Sequence, residues 1–182
     1  MTEKRDDKLK DGGLRRLTAG EIQLAQSVFI STIAYHKVWI HKGSYLPLNL
    51  QNEYAVMTPN GELYFRYWYR DDFSQETVDL QHLFIHEMGH VWQREKGVNI
   101  IGRGLVSWAV SYSYTLDGRL LSEYPMEQQA QIIADNFVLQ KLGYKEWERL
   151  RMKHQPEVTY RGEASEPVIR QLYRNALRGF PW

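Results

Sequence analysis

The sequence predicts an α+β domain in which a small antiparallel or mixed sheet packs on one long amphipathic helix, with a second long helix beside it. Three observations carry this. Apolar residues recur at helical spacing in three separate stretches, and two short regions between residues 37 and 65 are β-prone and punctuated by turn residues. The 182 residues suffice for one domain with a sizeable core, and the 43% hydrophobic fraction is ordinary for a globular chain. No repeat, low-complexity tract or linker divides the sequence.

Taken in order, residues 1–17 read as a flexible charged tail that includes Gly12-Gly13, and residues 18–182 as the single domain. Thr18 offers a helix N-cap and Glu21 completes a capping box, with Ile22, Ala25, Val28 and Phe29 at helical spacing; the helix is expected over Ala19–Ala34. Lys37–His41 reads as a strand closed by Gly43. Ala55–Thr58 and Glu62–Phe65 flank Pro59-Asn60-Gly61 and read as a hairpin. The best helix is expected over Glu76–Glu95 and ends at Gly97. A second hairpin is expected around Trp108, Tyr112, Tyr114 and the turn pair Asp117-Gly118. Ser122 and Pro125 then open a helix that runs to Leu142 and stops at Gly143, and Glu166–Leu177 reads as a last helix.

Composition excludes several classes of function. A net charge of +1 gives no electrostatic case for nucleic acid or an anionic membrane as partner. With no cysteine, a metal would have to be held by histidine and carboxylate. No run reaches the length of a membrane-spanning helix, and Met1–Lys10 is charged with no apolar stretch of the kind a secretory signal needs. The chain is therefore expected to be made in the cytoplasm and, if it leaves, to do so without a cleaved signal.

The informative residues are His86-Glu87-Met88-Gly89-His90. Two histidines four apart share one helix face, so both rings can reach one ion. Glu87 lies about 100° round the helix from His86, where it can address a metal-bound water without displacing it. Leu80, Leu83, Phe84, Met88 and Val91 form an apolar stripe beside the ligand face. The histidine spacing thus predicts a zinc site held by His86 and His90, with Glu87 as general base. Gly89 inside the helix costs about 1 kcal/mol relative to alanine, which a close neighbour would justify.

A catalytic zinc needs a third protein ligand. Glu127, Gln131 and Asp135 are one turn apart on the later helix, and at most one of them fits. Gln131 is neutral and a poor ligand. Glu127 shares a face with Ala130, Ala134 and Val138, small enough to let the two helices close, so Glu127 is the expected ligand. Its place in the first turn of a helix, where the dipole favours an acid, would explain it equally well. Asp135 is expected to accept from the free ring N–H of His86 or His90. His82 reads as a hydrogen-bonded or solvent-facing histidine, and His36, His41 and His154 as surface or packing residues.

An HExxH helix followed by a glutamate on a downstream helix resembles the gluzincin branch of zinc metallopeptidases. More narrowly, Leu17–Glu21, Met57–Gly61, Leu80–Gln93 and Glu127–Ala130 look like the small zinc-peptidase-like proteins associated with Rhs and VgrG secretion elements of Gram-negative bacteria. The likeness spans about Leu17 to Leu142. It implies a zincin-like fold, one zinc ion, and a role as cargo or effector of a type VI secretion system with an immunity protein or secretion-apparatus partner. Two features depart from the gluzincin pattern. Gln131 stands where an acidic residue usually follows the ligand glutamate, and the gap from His90 to Glu127 is long.

The expected activity is zinc-dependent hydrolysis of a peptide or other amide bond in a protein or peptide substrate. An oxyanion donor is also needed, and Tyr112, Tyr114, Tyr124, Tyr144, Tyr160 and His154 are the candidates. The competing expectation is a catalytically silent binding module or secretion-associated adaptor on the same fold.

Overall fold

A computed structural model describes residues 8–99, 111–163 and 165–182. Among these, three short strands and five α-helices make a mixed α+β arrangement, the strands all lying within residues 14–65 and four of the helices after them. Strand β1 (Leu14–Arg16) pairs antiparallel with β2 (Trp39–Lys42), which pairs in parallel with β3 (Leu63–Phe65). The described part of the expected tail is therefore not all tail, since residues 14–16 are a sheet edge. Arg15 is the cause: its guanidinium forks onto both oxygens of the fully buried Glu21 at 2.8 Å each and draws the segment onto the body of the protein.

Helix α1 (Ala19–Phe29) begins with the capping box that Thr18 and Glu21 predict. It stops short of Ala34 because Ile30 turns to φ 51°, with Tyr35 Oη donating to its carbonyl at 2.8 Å. The hairpin expected over residues 55–65 is reduced to one antiparallel bridge, Met57 to Tyr64. Here the Gln51 side chain takes the Ala55 carbonyl at 2.7 Å, which a strand neighbour would otherwise satisfy.

Helix α2 (Val78–Glu95) is followed by α3 (Met126–Lys141), α4 (Tyr144–Arg151) and α5 (Glu166–Ala176). Helix α2 matches its expected span within two residues. Helix α4 was not legible in the sequence; it starts directly from Gly143, whose φ of 94° lets the chain turn between two helices. Of the second expected hairpin, Trp108 lies outside the described residues. Tyr114 makes a parallel bridge to Tyr160 in place of a hairpin pairing, and the Asp117-Gly118 turn is present.

Helices α2 and α3 form the principal packing pair, and the core joins them to the sheet through Phe65, Phe73 and Phe84. Those rings stack in sequence at centroid distances of 4.6 and 5.5 Å. The two helices run antiparallel, as their cross-links require: His82 meets Asp135, whereas His86 and His90 meet Glu127. Gly89 faces Ala130 so closely that a Cβ there would stand 3.2 Å from the Ala130 Cβ and 3.3 Å from its Cα. The glycine is thus explained by the close neighbour that its cost implied.

Candidate metal centre

Because α2 is a regular helix across 86–90, its two ligand-face imidazoles project from successive turns towards α3. Glu127, in the first turn of α3, meets them. Its Oε2 lies 3.5 Å from His86 Nε2 and 3.2 Å from His90 Nε2. All three side chains are buried, and one ligand atom from each falls within 4.8 Å of the others. Donor atoms about 2.0–2.2 Å from one tetrahedral ion stand roughly 3.3–3.6 Å apart. Both Glu127 separations lie close to that spacing, and two imidazole nitrogens with one carboxylate oxygen are a donor set that suits zinc.

The electrostatics agree with a preformed cluster. Burial by itself would lower the pKa of His90, but the hydrogen bond and charge of Glu127, then the charge of Glu87 and the Gln93 contact, raise it to about 9. Burial pulls Glu127 up, yet the hydrogen bonds and charges of the two histidines hold it well below the usual carboxylate range.

His90 Nδ1 donates to Gln93 Oε1 at 2.8 Å, which leaves Nε2 to face the cluster. Gln93 is fully buried and in turn donates to the Met126 carbonyl at 2.8 Å, beside Glu127. Asp135, expected to accept from His86 or His90, does neither. It takes His82 Nε2 at 2.7 Å instead, because on an antiparallel helix a position two turns beyond Glu127 falls level with residue 82. His82 is accordingly a buried, hydrogen-bonded histidine.

Glu87 is buried, and its Oε2 accepts from Thr58 Oγ1 at 2.6 Å. The sequence reads Thr58 as the last residue of a hairpin strand; that it reaches the HExxH helix is a tertiary fact without a local signal. His86 and Glu87 line a cleft of about 830 Å³ together with Val56, Leu80, Leu83 and Tyr112. Among the six candidate oxyanion donors, Tyr112 lines this cleft, its ring centroid 5.8 Å from that of His86. Burial, then the charges of Glu127 and Glu87, raise its phenol to about 12, so it remains an O–H donor at neutral pH. Tyr114 is committed to Asp135, Tyr124 to the Thr115 carbonyl and Tyr144 to Glu148, and His154 is exposed.

No protein-family model matches the chain. Over 133 residues it is 41% identical to the type VI secretion system spike protein VgrG2b of Pseudomonas aeruginosa, a match that takes in 68% of this chain and 13% of that protein. The solved effector domain of Pseudomonas aeruginosa VgrG2b resembles it with a TM-score of 0.64 at 34% identity, covering 81% of this chain and 84% of the domain. The chain belongs to the VgrG2b effector-domain family. The expected link to VgrG elements thus holds at the level of the family. Of the four stretches that carried the expected likeness, Leu17–Glu21 opens α1, and Leu80–Gln93 and Glu127–Ala130 supply the three-residue cluster.

Proposed function

We propose that this chain is a zinc-dependent hydrolase of peptide or related amide bonds on a zincin-like fold, acting as a type VI secretion effector module. One observation carries the reading: His86, His90 and Glu127 converge within 4.8 Å while Glu87 lies beside them on a cleft. His86 and His90 through Nε2, and Glu127 through Oε2, would hold the ion. A zinc ion held there supplies Lewis acidity towards a carbonyl and acidifies water.

The other tasks fall to the chain's own side chains. Glu87 takes a proton from the attacking water and returns it to the leaving amine, with Thr58 fixing the orientation of its carboxylate. Tyr112 donates to the carbonyl oxygen as negative charge grows on it. Tyr54, Ala55 and Val56 border the cleft on one side and would form part of the wall against which a bound peptide lies.

The test couples metal analysis of the purified protein with hydrolysis of casein and of a peptide-cross-linked cell-wall fragment, for parent and Glu87→Gln. The expected result is one zinc per chain in both proteins and turnover only in the parent. Equal turnover in the two would end the proposal. A second reading, a docking module on the same fold, is favoured by the exposed Leu48, Leu50, Tyr54 and Tyr67, of which Tyr54 lines the cleft and packs its ring 5.0 Å from that of Tyr67. On that reading Glu87→Gln would change nothing measurable.

A further inference from the structure

Helix α3 presents two faces. Residues 127 and 130 meet α2; residues 128, 131 and 135, at helical spacing, meet the segments 111–114 and 157–159, with 131 and 135 also reaching His82 at the border of the two faces. On this second face Gln128 Nε2 donates to the carbonyls of Ser111 at 3.3 Å and Ser113 at 2.9 Å. These are the residues on either side of Tyr112. The carbonyl of Tyr112 itself accepts from Thr159 Oγ1 at 2.8 Å. Three consecutive carbonyls are therefore held from outside their own segment.

Thr159 is held in its turn. Its backbone N–H donates to Asp135 Oδ2 at 3.1 Å, and the same oxygen accepts from Tyr114 Oη at 2.7 Å. Oδ1 takes His82 Nε2 at 2.7 Å and Gln131 Nε2 at 2.8 Å. Asp135 is fully buried, and four donors saturate it. Because the Tyr114 proton goes to Asp135, Tyr173 must donate to Tyr114 across their 2.5 Å contact, and Trp147 Nε1 to Tyr173 at 3.2 Å. Donors from α2, α3 and the segments of Tyr114 and Thr159 thus converge on one carboxylate that grips both flanks of the Tyr114–Tyr160 bridge, two residues from Tyr112, while α5 and α4 join the network only through Tyr114.

We propose that α3 positions Tyr112 as well as supplying Glu127: Gln128 holds the carbonyls on either side of it, and Asp135, through Thr159, the carbonyl between. Gln128, Thr159 and Asp135 are positioning residues that touch no substrate. The inference rests on the reading of Tyr112 as the donor to the carbonyl oxygen, and it explains why a half-exposed ring at the cleft can be aimed reproducibly. A donor to a developing oxyanion is effective only if its position is fixed before the reaction.

The experiment uses the zinc-loaded full chain and the double variant Gln128→Ala/Thr159→Val, which leaves the buried Asp135 cluster in place. Amide hydrogen exchange is expected to quicken at least tenfold across residues 112–114, with zinc content unchanged. With casein as substrate, kcat is expected to fall about tenfold at unaltered KM, and Thr159→Ser alone to behave as the parent. In a Tyr112→Phe background, itself about a hundredfold slower, the double variant should add less than a further twofold loss. Unchanged exchange overturns the positioning role. So does a loss that multiplies fully with Tyr112→Phe. If exchange quickens but Tyr112→Phe turns over as fast as the parent, the clamp stands and the role given to Tyr112 fails.

Discussion

At the scale of single residues, Glu87 and its partner Thr58 carry the sharpest consequences. A positioned general base contributes about 10²–10⁴ in rate, so Glu87→Gln is expected to lose at least a hundredfold in kcat while binding zinc as the parent does, read by kinetics beside metal analysis. Thr58→Val removes the 2.6 Å bond to Glu87 and should lower kcat about tenfold with KM unchanged; a change in KM alone would contradict that role. The pKa of His90 gives a pH dependence with a definite sign. In the metal-free chain its value is raised from 6.5 to about 9, so its stabilising contribution is complete below 6.5 and is lost as pH rises through about 9. Zinc has to displace that proton, so binding should tighten as pH rises towards 9 and release protons, which calorimetry in buffers of different ionisation enthalpy would register. The convergence of His86 and His90 was legible because a helix converts a sequence spacing of four into a spatial neighbourhood. The Thr58 contact was not, because a polar contact across the fold leaves no periodic trace; Gln93, three residues after His90 on the same helix, lay within reach of the spacing argument.

At the scale of elements, the contact between α2 and α3 decides whether three ligands meet. A methyl group on Gly89 would press on the Ala130 backbone, which has no rotamer by which to yield. Gly89→Ala should gain about 1 kcal/mol of helix propensity and lose about 1–3 kcal/mol to overpacking. The net expectation is a less stable protein that binds zinc more weakly, because Glu127 is pushed from the histidines; urea denaturation and zinc titration would check both. Long helices were readable from apolar spacing and their stop residues. The ends of α1 and the loss of the 55–65 hairpin were not. In one case a Tyr35 hydroxyl, and in the other a Gln51 amide, takes backbone groups that local pattern assigns elsewhere. Helix α4 was missed because it buries only Trp147 and Leu150 in a charged stretch, too few apolar positions to show a period.

At the scale of the molecule, an ion held by His86, His90 and Glu127 would cross-link the two helices at the centre of the fold. A ligand that binds only the folded state at about a thousand times its Kd adds about 4 kcal/mol. Chelation should therefore lower Tm by roughly 10 °C in a calorimetric scan, and an unaltered Tm would mean that the cluster holds no metal. The overall α+β class followed from the sequence, because the order of helical and extended periods survives folding. The boundary at residue 18 did not, and its displacement matters in practice. A shortened version starting at Thr18 would keep the Glu21 carboxylate sealed from water yet strip away the guanidinium that neutralises it, along with that guanidinium's bonds to Tyr69 and to the Arg70 carbonyl. An orphaned buried charge of this kind costs about 3–5 kcal/mol. Recombinant work on the isolated domain should start upstream of Leu14, since a trim that looks harmless on paper would amputate a counter-ion.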